Sequence, residues 1–266
     1  MLSLFLTGCS NSEENVHTDF SDDNIYGEYI FRKHDEHFYT LTPPKPKPPY
    51  VYPWEKNHSY ALPKINKEYF RCKGCSINPE KIVNENGEIK KYLDCDGIDK
   101  HGLPLRDGVE FIYPVLIDVL NFIQEKTSHR VIITSGHRCP EHNTYVDASK
   151  DNLYSKHMIG AEVSFYVESL ENDPMQIIDI IRDYYKNVND SDYTDFRRYE
   201  KDNTNVRIPP WYNKEIFVKL FQKDEGRDFD NRHPYPYIGI QVRYDRNLNE
   251  RVSYTWNKAN RQFLRK

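Results

Sequence analysis

The apolar positions of this chain fall into short periodic blocks that start past residue 106. Ile112, Val115, Leu116, Val119, Leu120 and Ile123 recur at helical spacing, so one face of an amphipathic helix is predicted, with Pro114 in its first turn. Residues 130–134, Arg-Val-Ile-Ile-Thr, form a β-branched run that ends at Ser135-Gly136 and reads as a buried strand. A loop is expected over 135–156, then a second strand over 161–167. Asp173-Pro174 supplies an N-cap and a first-turn proline for a second helix, whose apolar face is Ile177, Ile178, Ile181 and Tyr185. Residues 214–221 fit helix and strand alike. Ile238, Ile240, Val242 and Tyr244 alternate, as do Val252, Tyr254 and Trp256 around a polar turn at 247–249, which predicts an antiparallel hairpin. This order of elements implies an α+β fold, with helices packed on a small antiparallel sheet.

Upstream the pattern is different. Residues 1–9 are apolar and end in Leu6-Thr7-Gly8-Cys9, residues 10–40 are polar and acidic, and residues 42–49 read Thr-Pro-Pro-Lys-Pro-Lys-Pro-Pro. The last stretch has the composition of an extended polyproline spacer. Residues 50–106 hold three cysteines and many turn residues, and an irregular lead-in is expected there. The organisation that follows is a signal remnant over 1–9, a polar and Pro-rich tether over 10–49, the lead-in over 50–106 and a folded domain over 107–266. The segment ending at Cys9 resembles a bacterial lipobox. That implies lipidation at Cys9 and a membrane-anchored lipoprotein of the cell envelope, facing the periplasm or exterior. The competing reading is an unremarkable apolar terminus, since no Lys or Arg precedes Cys9.

Among 266 residues there are 37 basic and 41 acidic ones, and no basic block is long enough for a nucleic-acid surface. Beyond Cys9, the even set Cys72, Cys75, Cys95 and Cys139 suggests two disulfides in an exported chain. A four-thiolate zinc site competes, because Cys72-x-x-Cys75 has the spacing of half such a site. Cys95 and Cys139 are far apart in sequence, which favours disulfides. Tyr184-Tyr185 and Tyr235-Pro236-Tyr237 suit core packing or stacking on a ligand. Neither a phosphate-binding glycine loop nor a nucleophile elbow occurs.

Two loop motifs carry the chemistry. The first is Ser135-Gly136-His137-Arg138, followed by Asn143; the second is Ser155-x-His157-x-x-Gly160-x-Glu162-x-Ser164. In this order they resemble the zinc D-alanyl-D-alanine carboxypeptidases, whose fold is shared with the hedgehog signalling domain. The resemblance covers about residues 108–260. It implies substrate contact by Arg138 and Ser155, and a zinc ligand at His157. His137 replaces an aromatic residue and Glu162 a small one. Ser164 stands where the family has an aspartate ligand, and Gly239 falls where a later strand supplies a histidine, with Gln241 at the following acidic position. A hydroxyl is a poor zinc ligand, and catalytic zinc takes three protein ligands. Glu162 and His233 are candidate substitutes, with His142 a third; each has a plain structural alternative as an ion-pair, turn or loop residue. The expectation is an envelope lipoprotein that has lost catalysis and binds peptidoglycan or a peptide. The alternatives are an active zinc peptidase using substitute ligands, and a structural lipoprotein.

Overall fold

A computed structural model describes residues 62–261, apart from 86, 98–101, 147–154, 201–205 and 227. The expected lipidation site Cys9 and the Pro-rich tether lie outside the described residues. The strands are β1 (Lys81–Glu85), β2 (Glu88–Tyr92), β3 (Leu105–Arg106), β4 (Val109–Glu110), β5 (Val131–Ser135), β6 (Glu162–Val167), β7 (Arg197–Arg198), β8 (Trp211–Tyr212), β9 (Ile216–Phe221), β10 (Tyr237–Val242), β11 (Tyr244–Asp245) and β12 (Glu250–Arg251). The helices are α1 (Pro114–Thr127), α2 (Pro140–Val146), α3 (Pro174–Tyr185), α4 (Ser191–Thr194) and α5 (Trp256–Arg261). No helix among the described residues is long and apolar enough to cross a membrane.

The fold is mixed α+β. Six strands form one antiparallel sheet in the order β5-β6-β10-β9-β8-β7, and three two-stranded ladders flank it. Side chains alternate across a strand. Val163, Phe165 and Val167 of β6, Ile238, Ile240 and Val242 of β10, and Ile216, Val218 and Leu220 of β9 therefore share one face, and all belong to the main core. Helices α1 and α3 cover that face and touch each other. Pro114 sits in the first turn of α1, and Ser128 ends the helix in the left-handed region. Leu116, Val119, Leu120 and Ile123 of α1 are fully buried. Truncating one of them, as in Leu120→Ala, costs about 2–5 kcal/mol. Asp173 caps α3 by accepting from the Gln176 N–H.

Several local expectations need correction. Residues 214–221 resolve to strand β9, because the segment is framed by β10 and β8 and is buried on both sides. The loop expected over 135–156 contains α2. The predicted hairpin is present only as the short β11/β12 ladder. Its first arm, β10, instead pairs with β6 and β9 in the main sheet, and Trp256 opens α5. The lead-in contains the β1/β2 hairpin, and it contributes Ile65, Phe70 and Leu103 to the core. It is thus packed into the domain from residue 62 onward. Gly136 shows how closely: a Cβ there would lie 2.6 Å from the Phe70 backbone, and the His137 N–H donates to Phe70 O.

Candidate functional site

The face of the sheet opposite the helices sets polar groups among aromatic rings. Ladder register sets Glu162 opposite Gln241 and Ser164 opposite Gly239, with Lys219 on the far side of Gly239. His157 reaches this face from a single 3-10 turn over Lys156–Ile159. The Ser155 hydroxyl caps that turn by accepting from the His157 N–H, and Gly160 closes it at a φ of 70°. Ser155 is therefore spent on holding the turn.

His157 is buried, and its Nδ1 lies 2.7 Å from Gly136 O. A carbonyl only accepts, so Nδ1 carries the proton and Nε2 the lone pair. Burial, and then the Arg138 charge, hold its pKa well below the usual histidine value, so the ring is neutral. Nε2 points toward Glu162, whose Oε1 is 3.7 Å away. The same Oε1 accepts from Gln241 Nε2 at 2.9 Å. This is a ring prepared as a ligand, with one carboxylate beside it. Ser164 and Gly239, paired with each other further along this face, carry no strong donor. His233 lies among the rings of Tyr166, Tyr235 and Tyr237.

Arg138 is 2% exposed. Its Nε donates to Ser135 Oγ at 2.7 Å and lies 3.3 Å from Asp230 Oδ2, while its Nη2 donates to Asp228 Oδ2 at 2.8 Å. Burial works against both carboxylates. Arg138 nevertheless keeps Asp228 below its normal range, and His142 together with Arg138 keeps Asp230 well below it. Asn231 Oδ1 accepts from Thr134 Oγ1 at 2.6 Å, so residues 228–231 are fastened to the end of β5. The guanidinium is thereby engaged by the protein's own acids. Asn143, its expected loop partner, is buried in α2.

Next to this network is a second constellation. Cys72, Cys75, Cys95 and Cys139 are all present as thiols. The expected disulfides are not formed: Cys72 Sγ lies 4.0 Å from Cys95 Sγ and 3.9 Å from Cys139 Sγ, against about 2.05 Å for a disulfide. The donor atoms of Cys72, Cys95 and His142 all lie within 4.8 Å of one another, and among the described residues this is the one group of three that could hold a metal ion. His142 follows Cys139 by three residues in α2, and its backbone N–H donates to Cys139 Sγ at 3.3 Å. Its Nδ1 is 2.7 Å from Asp94 Oδ1 and its Nε2 is 3.2 Å from Asp230 Oδ1. Although burial opposes it, these carboxylates raise the His142 pKa to about 9. A Cβ at Gly74 would collide with Cys95 Sγ, so only glycine lets the Cys72–Cys75 turn close over this corner. Cys75 is half-buried, and its N–H donates to Asp94 Oδ2.

Sequence reasoning missed Asp94, Asp228 and Asp230, and gave His142 only a minor place. One signal was available: Cys139-x-x-His142 has the same spacing as Cys72-x-x-Cys75, and so supplies the second close pair that a metal site needs. No family model, curated protein or solved structure matches this chain.

Proposed function

We propose that this domain keeps the hedgehog-like frame of the D-alanyl-D-alanine carboxypeptidases without their hydrolytic centre, and serves in the bacterial envelope as a protein that binds a peptide of the cell wall. The observation that carries the reading is the pairing of Ser164 with Gly239, two positions along β6 from Glu162, the carboxylate 3.7 Å from His157 Nε2. In such a frame Ser164 and Gly239 would stand at zinc-ligand positions, and neither can coordinate as an aspartate or histidine does. The Gln241 amide occupies the one nearby carboxylate, Glu162. Arg138, tied to Asp228 and Asp230, holds a segment over the face rather than an oxyanion. Lipidation at Cys9 and the Pro-rich spacer would tether the domain to the membrane.

The test combines turnover, retention and repair. The full chain with zinc is expected to release no D-alanine from a panel of muropeptides, and to be retained on purified sacculi. Ser164→Asp with Gly239→His is expected to gain a zinc equivalent that is lost again on His157→Ala. Space permits the repair, since a Cβ at Gly239 meets only Phe221 Cε2, at 3.4 Å. D-alanine release by the unaltered chain would establish an active peptidase and overturn the reading. Absence of retention would leave a structural envelope protein instead.

A further inference from the structure

We infer that Cys72, Cys95, Cys139 and His142 form a closed structural zinc site that clamps the lead-in to the sheet domain. This inference stands independently of any peptide binding at the His157 face.

The spacing is the first argument. Zinc–thiolate bonds of about 2.3 Å at tetrahedral angles put ligand sulfurs about 3.8 Å apart. Cys72 Sγ has neighbours at 4.0 and 3.9 Å, far from disulfide bonding and close to that value. The donor set is the second. Three soft thiolates and one imidazole suit zinc rather than a hard cation.

The surroundings are the third argument. A metal-binding imidazole usually gives its other N–H to a carboxylate. With Nδ1 on the metal, Nε2–H is already aimed at Asp230 Oδ1, at 3.2 Å. Asp94 then gives up Nδ1 and keeps the Cys75 N–H and the Asn78 amide through its other oxygen. The His142 N–H to Cys139 Sγ offsets thiolate charge at one ligand. Binding releases one proton from each of the three thiols and the one that His142 Nδ1 shares with Asp94.

Topology is the fourth. Cys72 follows the 3-10 turn at 67–70, Cys95 follows β2, and Cys139 with His142 opens α2. Three segments distant in sequence meet at one point. Cys72, Cys95, Cys139 and His142 are all buried, which leaves no open position for substrate and marks a structural site.

The experiment is metal analysis of the purified full chain, with and without reductant and zinc reconstitution, combined with thiol counting. One zinc equivalent is expected in the unaltered chain, in His157→Ala and in Cys75→Ser, and none in Cys95→Ser or Cys139→Ser. Because those last two variants can misfold, cobalt(II) is also exchanged into the unaltered chain. Thiolate-to-cobalt charge transfer with the intense visible bands of a tetrahedral ion is expected. A chain without metal after reconstitution under reducing conditions overturns the inference. So does a native mass that shows disulfides among these cysteines. Zinc that leaves with His157→Ala or with Cys75→Ser would assign the metal to other ligands and overturns it too.

Discussion

Two neighbouring corners of this domain hold metal-type donors in opposite states. At the His157 face there are a capped turn, a fixed tautomer and paired strands, but just one buried imidazole with one engaged carboxylate beside it. At the cysteine corner the donors are in place, and they come from segments with no regular pattern to announce them. Asp230 links the two, being hydrogen-bonded to His142 on one side and ion-paired with Arg138 on the other. The contrast teaches that a frame and a ligand set are separable. A backbone can hold an imidazole and a carboxylate side by side without a third strong donor, while a few residues at loop ends bring three metal-type donors within 4.8 Å of one another without a periodic pattern.

The largest expected effect tests the cysteine corner. Removing zinc with a strong chelator should lower stability by about 4 kcal/mol or more, the mass-action contribution of a ligand held at a thousand times its Kd. That is roughly 10 °C in Tm for a domain of this size, read by calorimetry. An unchanged Tm would remove the corner's structural role. Next comes the shared network. Arg138→Met leaves Asp228 and Asp230 buried without their cation, and should cost about 3–5 kcal/mol, measured by denaturant unfolding. His157→Ala should cost less, about 1–3 kcal/mol, because it removes one buried hydrogen bond to Gly136 O. It should leave zinc content untouched, which keeps the two corners distinct.

The smallest effect, at most about 1.4 kcal/mol for each pH unit, is a pH slope beside the network. Burial, with Arg232 adding to it, lowers Lys81 from 10.5 to about 7 against the pull of Asp228, Asp230 and Asp94, and its Nζ donates to Val146 O at 2.9 Å. Between pH 7 and 10.5 the unfolded chain holds this proton and the folded chain does not, so stability should rise with pH across that window. Lys81→Met should flatten the rise, as followed by unfolding at stepped pH.

Much of the scaffold was legible because burial leaves a period. The α1 face, the β5 run, β6, and the Asp173-Pro174 start of α3 follow directly from apolar spacing and capping chemistry. The β9 segment was ambiguous because it is buried on both faces, which erases the strand alternation. The arm beginning at Val252 alternates yet turns into α5 two residues after Tyr254, since a few alternating positions do not commit a chain to a ladder. At the candidate site, His157, Glu162, Ser164 and Gly239 could be brought together from motif order and strand alternation. Asp228 and Asp230 could not, because they sit in a patternless segment and act only through contacts across the fold. The cysteines suggested disulfides because Cys95 and Cys139 are far apart in sequence, whereas Cys72 and Cys139 meet across 67 residues as thiols.

The sheet's margins have a consequence for self-association. An open margin offers unpaired N–H and C=O groups to any passing strand, and short, charged edges discourage such pairing. Here β7 is two residues long, and both are exposed arginines, with the Arg198 guanidinium 3.7 Å from the Trp211 ring centroid. A second copy adding a strand there would have to desolvate two like charges at once and displace one of them from its aromatic seat. At this edge the sheet therefore ends in a cationic stop, which discourages a second copy from extending it.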